Sequence, residues 1–234
     1  MTPITALALL AFTSGQDPDG ALLMQGDACY ALVVQDRVVG ATRQTVREAV
    51  VDGRRVWEIS IHQKADAWNF DMRDRIQVDA VDMRPIRYDS VRAASSTMPG
   101  QEVHLVYGAD RVRGSKTLGE TRTDIDVALD RPVWDGNLWG LTFSALPLAE
   151  GAELIVPVWQ YDKGFGAFTV TVTGSRTVEG PAGTTEAWVL RATDGGRMTT
   201  EYLIDKQTRM ELGYSAGPMV QRLGGDCSGM TPSE

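Results

Sequence analysis

Turn signals recur along this chain at spacings of 8 to 14 residues, and between them apolar and polar side chains alternate. Period-two alternation fits a strand with one dry face. Connections this short join antiparallel neighbours, because a parallel crossover needs a dozen residues or more. From Tyr30 onward, "YALVVQDRVVGATRQTVREAVVDGRRVWEISIHQ" holds β-rich runs broken at Asp36-Arg37 and at Asp52-Gly53. The second break is a strong hairpin signal, since Gly accepts the positive φ of a tight turn. In "WNFDMRDRIQVDAVDM", Trp68, Phe70 and Met72 alternate with Asn69, Asp71 and Arg73, and Ile76, Val78 and Ala80 with Gln77, Asp79 and Val81. A change of face through a bulge is expected at Arg73 to Arg75. Further runs follow, among them "QEVHLVYG", "TDIDVALD", "AELIVPVWQYD" and "TEAWVLRATD", about a dozen in all. Crossover helices are not evident. The expected fold is all-β and mainly antiparallel, a sheet curled into a half-barrel, barrel or sandwich over residues 28–223.

A chain of 234 residues with 43% hydrophobic and 23% charged content can bury one sizeable core. Its net charge of −8 leaves no basic footprint for nucleic acid or anionic lipid, so nucleic-acid binding is not expected. The opening "MTPITALALLAFTSGQ" sets the run Ile4 to Phe12 before the small residues Thr13-Ser14-Gly15. That resembles a secretory leader spanning residues 1–15, placing the protein in the periplasm or otherwise outside the cytoplasm. An ordinary N-terminal element of a cytoplasmic protein is the alternative. The run is too short for a transmembrane segment. An exported protein would oxidise the two cysteines, Cys29 and Cys227, if their geometry permits, tying the first strand to the C-terminal segment. Asp27, two positions before Cys29, makes a poor lipoprotein-processing site, and no lipid anchor is expected. Residues 224–234 read as a flexible tail.

One passage breaks the strand pattern: "PVWDGNLWGLTFSALPLAEGAELIVPVW", residues 132–159. Asp135 can cap a helix starting at Gly136 or Asn137, with Leu138, Leu141, Phe143 and Leu146 over more than one face until Pro147 stops it. A short helix over residues 135–146, apolar on several sides, needs cover on several sides and is expected on the concave side of the sheet. Seven of the seventeen aromatic side chains fall between Trp134 and Phe168. This helix either fills the concave side or leaves an apolar cleft for a lipid or other hydrophobic small molecule. In the second case Trp134, Trp139, Phe143, Trp159 and Phe168 are the expected lining.

That passage, with "VTVTGSRTVEGPAGTTEAWVL" and "TEYLIDKQTRMELGY" after it and "VVGATRQTV" and "DAVDMRPIRYDS" before it, resembles an exported bacterial family known as domain of unknown function 3108, over roughly residues 28–223. The resemblance implies an envelope protein of unsettled function, akin in shape to half-barrel lipoprotein carriers that shelter acyl chains. It supplies no catalytic residues.

The chemical motifs are weak. "GYSAG", Gly213 to Gly217, matches G-x-S-x-G, but a nucleophile elbow needs a strand-to-helix turn and, in α/β-hydrolases, a histidine after Ser215. The only histidines, His62 and His104, precede it in strand-like runs where they could meet across the sheet. Two histidines without metal-ligand spacing do not make a zinc site. "DPDG", Asp17 to Gly20, lacks the later ligands of a calcium loop. Asp124 and Asp126 share one side of a strand near Asp130 and Asp135, with Arg122 and Arg131 to neutralise them. No catalytic residue, metal or cofactor is expected. The reading is a non-enzymatic binding or carrier module. The alternatives are a hydrolase acting on envelope polymers, using Asp124, Asp126 or His104, and a purely structural scaffold with a filled core.

Overall fold

The computed structural model describes residues 17–181, 183–196 and 199–231. The expected leader, residues 1–15, lies outside them. The strands are β1 (Gly26–Val34), β2 (Arg37–Val51), β3 (Arg54–Ala65), β4 (Phe70–Asp79), β5 (Pro85–Arg92), β6 (Gln101–Tyr107), β7 (Arg111–Leu118) and β8 (Thr121–Ala128). Then come β9 (Trp134–Asp135), the helix α1 (Trp139–Ser144), β10 (Glu153–Gln160), β11 (Gly164–Gly180), β12 (Gly183–Thr193), β13 (Thr200–Asp205), β14 (Glu211–Ala216) and β15 (Met219–Leu223). They form one 15-stranded sheet in the order β8-β7-β6-β5-β4-β3-β2-β1-β15-β14-β13-β12-β11-β10-β9. Every pairing is antiparallel except that of β9 with β10. The fold is therefore the mainly antiparallel, barrel-like one that the alternation implies, with more strands than the dozen expected.

Connectivity makes this sheet curl. Its edge strands β8 and β9 are consecutive in sequence, joined only by residues 129–133. At about 3.5 Å per residue such a link spans roughly 20 Å, so the two edges come close without pairing. Register shifts at Leu32/Val33, Gln77/Val78, Val172/Gly174 and Leu203/Ile204 add local bends. The turn between β2 and β3 takes φ of 51° at Asp52 and 78° at Gly53, the left-handed pair that a two-residue hairpin needs. The preceding hairpin turns at Gln35-Asp36, one residue earlier than expected.

The change of face expected at Arg73 to Arg75 does not occur. β4 pairs with β3 without interruption from Phe70 to Asp79, so the even-numbered residues all face inward. Asp74 thus points into the barrel in phase with Ile76 and Val78, which are buried in the core. Ile59, Leu105, Val112, Val170, Leu190, Ile204 and Leu146 complete a core that α1 plugs from inside.

The helix is shorter than the expected 135–146. Asp135 pairs as a strand residue with Trp159. Its Oδ1 accepts from the Asn137 backbone N–H at 2.7 Å and from Asn137 Nδ2 at 3.0 Å, and its Oδ2 from the Tyr107 hydroxyl at 2.6 Å. The carboxylate closes a turn before the helix rather than capping it, and α1 starts at Trp139 with no side-chain cap.

Residues 224–231, expected to be a flexible tail, cross the outer face as a strap. Gly224 and Gly225 donate to the Cys29 carbonyl, and Cys227 is disulfide-bonded to Cys29. Farther on, Arg43 donates to the Met230 carbonyl at 2.8 Å, and the His62 Nδ1 lies 3.0 Å from the Thr231 carbonyl. The strap covers His62, which is 2% exposed.

Candidate functional site

Inward side chains change character along the strands. β2 presents Val46 and then Gln44 and Thr42, β3 presents Ile59 and then Ile61 and Gln63, and β4 presents Val78 and Ile76 and then Asp74 and Met72. The apolar ends pack around α1. The polar ends surround a cavity of about 300 Å³, closed on one side by Asn137 to Leu141 and on others by Tyr88, Tyr161, Tyr202, Tyr214, Glu211 and Gln221.

Glu211 owes its place there to a bulge. Across from β14, Tyr202 pairs with Tyr214, Leu203 with Gly213, and Ile204 with Glu211, so Leu212 has no partner on β13. The extra residue turns both Glu211 and Tyr214 to the inner face, three positions apart. The Glu211 carboxyl is buried; Oε1 accepts from Gln221 Nε2 at 3.3 Å, and among the described residues no donor reaches Oε2. A Cβ at position 140 would fall 1.6 Å from that oxygen, so Gly140 is the residue that lets α1 lie against it.

A second cavity, about 200 Å³, opens sideways where β1 runs past the end of β15. Leu23, Met24, Met210 and Val46 give it an apolar lining. Gln44, Leu141 and Glu211 line both cavities, which therefore adjoin there.

Burial dominates the electrostatics. It pushes the Glu211 carboxyl up to about 7, against the opposing bond from Gln221. Asp74 is pushed up to about 6, mainly by burial, with Asp135 adding to the rise and hydrogen bonds from Ser90 and Tyr88 opposing it. Burial and then the Glu211 charge raise the Tyr214 phenol to about 12 and carry Tyr202 well above its usual range. The site thus holds two carboxyls of raised proton affinity among phenol and amide groups. Thr42 Oγ1 also lines it, with no hydrogen-bond partner among the described residues.

Of the five aromatic residues expected to line a cleft, Trp139 lines the larger cavity, half exposed, with its indole N–H bonded to the Gly136 carbonyl. Phe143 and Phe168 meet edge to face at 5.5 Å directly behind it, and Phe143 stacks edge-on to Tyr202 at 5.0 Å. Trp134 and Trp159 lie elsewhere in the core: the first under the Arg84 guanidinium at 3.8 Å, the second edge-on to Tyr107 at 6.1 Å. Neither borders the two cavities.

The residues considered for hydrolysis are not brought together. Asp124 and Asp126 are exposed on the edge strand β8, paired with Arg122 at 3.1 Å and Arg111 at 2.6 Å. His104 faces outward against Asp89, and β4 and β5 separate its strand from that of His62. Ser215 sits within β14 opposite Val220, not on a strand-to-helix turn. Among the described residues no group of three or more His, Cys, Asp or Glu could hold a metal ion, and no helix is long and apolar enough to cross a membrane.

Sequence reasoning missed Asp74, Glu211 and the tyrosines. The alternation in β4 carries a signal for Asp74, as a polar residue in an apolar phase. The bulge hides Glu211, since strict alternation would set it and Tyr214 on opposite faces.

No curated protein matches the chain. A β-barrel-like protein of domain of unknown function DUF1849 from Brucella abortus, known from its crystal structure, is similar in fold, with a TM-score of 0.52 and 9% identity over 90% of this chain and 97% of that one. The family described as "Protein of unknown function (DUF3108)" matches residues 29–218, and with most of its length covered the chain belongs to that family.

Proposed function

We propose that the protein is a non-enzymatic binding module that holds one small amphipathic molecule inside the barrel. The observation that carries this reading is the pair of cavities meeting at Gln44, Leu141 and Glu211, one apolar and open sideways, the other rich in phenol and amide groups. A ligand with a short apolar part and a polar head matches both, and the head can reach Thr42 Oγ1 and Glu211 Oε2. The volumes favour a compact guest: a 150 Å³ apolar cavity takes a molecule of about benzene size, and the lateral cavity is of that order. The apolar guest proposed from sequence is thereby narrowed to an amphiphile, with Trp139 at the cavity and Phe143 and Phe168 supporting it. The disulfide supports an oxidising compartment such as the periplasm as the working location.

Native mass spectrometry of protein purified from a bacterial envelope, followed by denaturation and analysis of what is released, tests the proposal. One small amphiphile per chain is expected. A protein that arrives empty and also refuses octyl glucoside, octanoate and octylammonium would overturn it.

A second reading, a hydrolase, draws on Asp74 and Glu211 lining the same cavity with raised proton affinity. It predicts that Asp74→Asn or Glu211→Gln abolishes turnover of an envelope polymer by the purified protein; absence of turnover in the parent protein rules it out.

A further inference from the structure

We propose that the ligand is an organic ammonium ion bearing a short apolar chain, with the ammonium against Glu211, the rings of Tyr202 and Tyr214 beside it, and the chain along Leu23, Met24 and Met210. The inference rests on the two adjoining cavities being a binding site for an amphiphile and adds the charge of the head group.

Three observations carry it. First, the Glu211 side chain, on a residue 5% exposed, has its one hydrogen bond among the described residues at Oε1, from Gln221, and borders both the polar and the apolar cavity. A cationic N–H donor would complete it with a charge-assisted bond. Second, aromatic rings line the same cavity as Glu211: Tyr202 and Tyr214, 5.5 Å apart by ring centroid, and Trp139. Ring faces stabilise a cation brought within about 6 Å, and such cages recur in the recognition of alkylated ammonium groups. Third, the polar cavity is lined by two carboxyl groups and, among the described residues, by no lysine or arginine. An anionic head would meet Asp74 and Glu211 in a partly desolvated space, where like charges repel strongly.

The basic groups in the neighbourhood are placed elsewhere. Lys116 Nζ lies 5.2 Å from the Tyr161 ring, at the far end of the cavity, and Arg92 flanks the same tyrosine. Arg209 lines the lateral opening and donates to the Leu146 carbonyl at 3.3 Å. The groups that face Glu211 itself are the Tyr202 and Tyr214 phenols, the Gln221 amide and the Cα of Gly140, with the Tyr30 hydroxyl on its backbone carbonyl. None is cationic.

Isothermal titration of the full-length protein at pH 8 with octylammonium, octyl glucoside and octanoate tests the proposal. Octylammonium should bind one per chain, about tenfold or more tighter than octyl glucoside, with octanoate weakest. Glu211→Gln should cost octylammonium about tenfold and leave octyl glucoside within about twofold. Tyr214→Leu should weaken octylammonium several-fold where Tyr214→Phe, which keeps the ring, does not; this pair decides the matter should Glu211→Gln fail to fold. Octyl glucoside binding as tightly as octylammonium, with Glu211→Gln and Tyr214→Leu leaving the order unchanged, would refute the cation while the amphiphile site stands. Refusal of all three probes would bring down both readings.

Discussion

Glu211 sits among phenol rings with one amide donor, and this sets how the protein responds to pH. An exposed glutamate ionises near 4.5, whereas this one, raised by burial, ionises near 7. Below 4.5 folded and unfolded chains both hold the proton. Between 4.5 and 7 the unfolded chain has released it while the folded one keeps it, so stability falls through that window by on the order of 3 kcal/mol and levels off above it. Asp74 acts in the same direction between 3.8 and about 6. In Glu211→Gln the first contribution disappears, and the melting temperature of the variant relative to the parent should rise from pH 5 to pH 8. Parallel pH curves for the two proteins would contradict the burial of an ionisable carboxyl there. Gly140 belongs to the same contact: Gly140→Ala places a methyl on the Glu211 carboxyl and should destabilise by roughly 1–3 kcal/mol in urea unfolding. Combined with Glu211→Ala the penalty should shrink, since the methyl then has room; additive losses would show that the two residues do not touch.

At the scale of elements, α1 and the bulge in β14 make the site. Phe143, fully buried, joins the helix to Phe168 and Tyr202. Phe143→Ala should cost about 3–5 kcal/mol and enlarge the space behind Trp139, and a loss below about 1 kcal/mol in urea unfolding would mean that the helix is not seated as described. The strands themselves were legible, because one-sided burial writes an alternating pattern and Asp52-Gly53 marks its hairpin directly. The helix was legible as an apolar run ended by Pro147, but its start was not: Asp135 has the side chain of a helix cap, and only the parallel pairing with β10, a long-range contact, makes it a strand residue. The expected face change in β4 failed for a simpler reason, since residues 68 to 80 keep one parity throughout. Glu211 was the least legible, because a single unpartnered Leu212 reverses the side its neighbours face, and nothing local announces the bulge.

At the scale of the whole molecule, the sheet order places the first and last strands, β1 and β15, side by side at its centre, while the middle of the chain supplies both edges. The strap and its disulfide therefore pin β1 to the segment after β15 on the outer face, away from the cavities. A disulfide between residues 198 apart in sequence restricts the unfolded chain strongly. The double variant Cys29→Ser, Cys227→Ser should lose roughly 2–5 kcal/mol in urea unfolding, yet bind octyl probes as the parent does; a parallel loss of binding would place the strap in the site. On this view the barrel holds two adjoining cavities, one apolar and open to the side, that meet at an acidic, aromatic junction at Glu211. This arrangement is tested most directly by a crystal structure of the protein soaked with octylammonium brominated at the chain end. An anomalous bromine peak between Met24 and Met210 is expected, with the nitrogen within hydrogen-bond distance of Glu211 Oε2. A bromine signal only at scattered surface positions, with the interior unchanged, would contradict it.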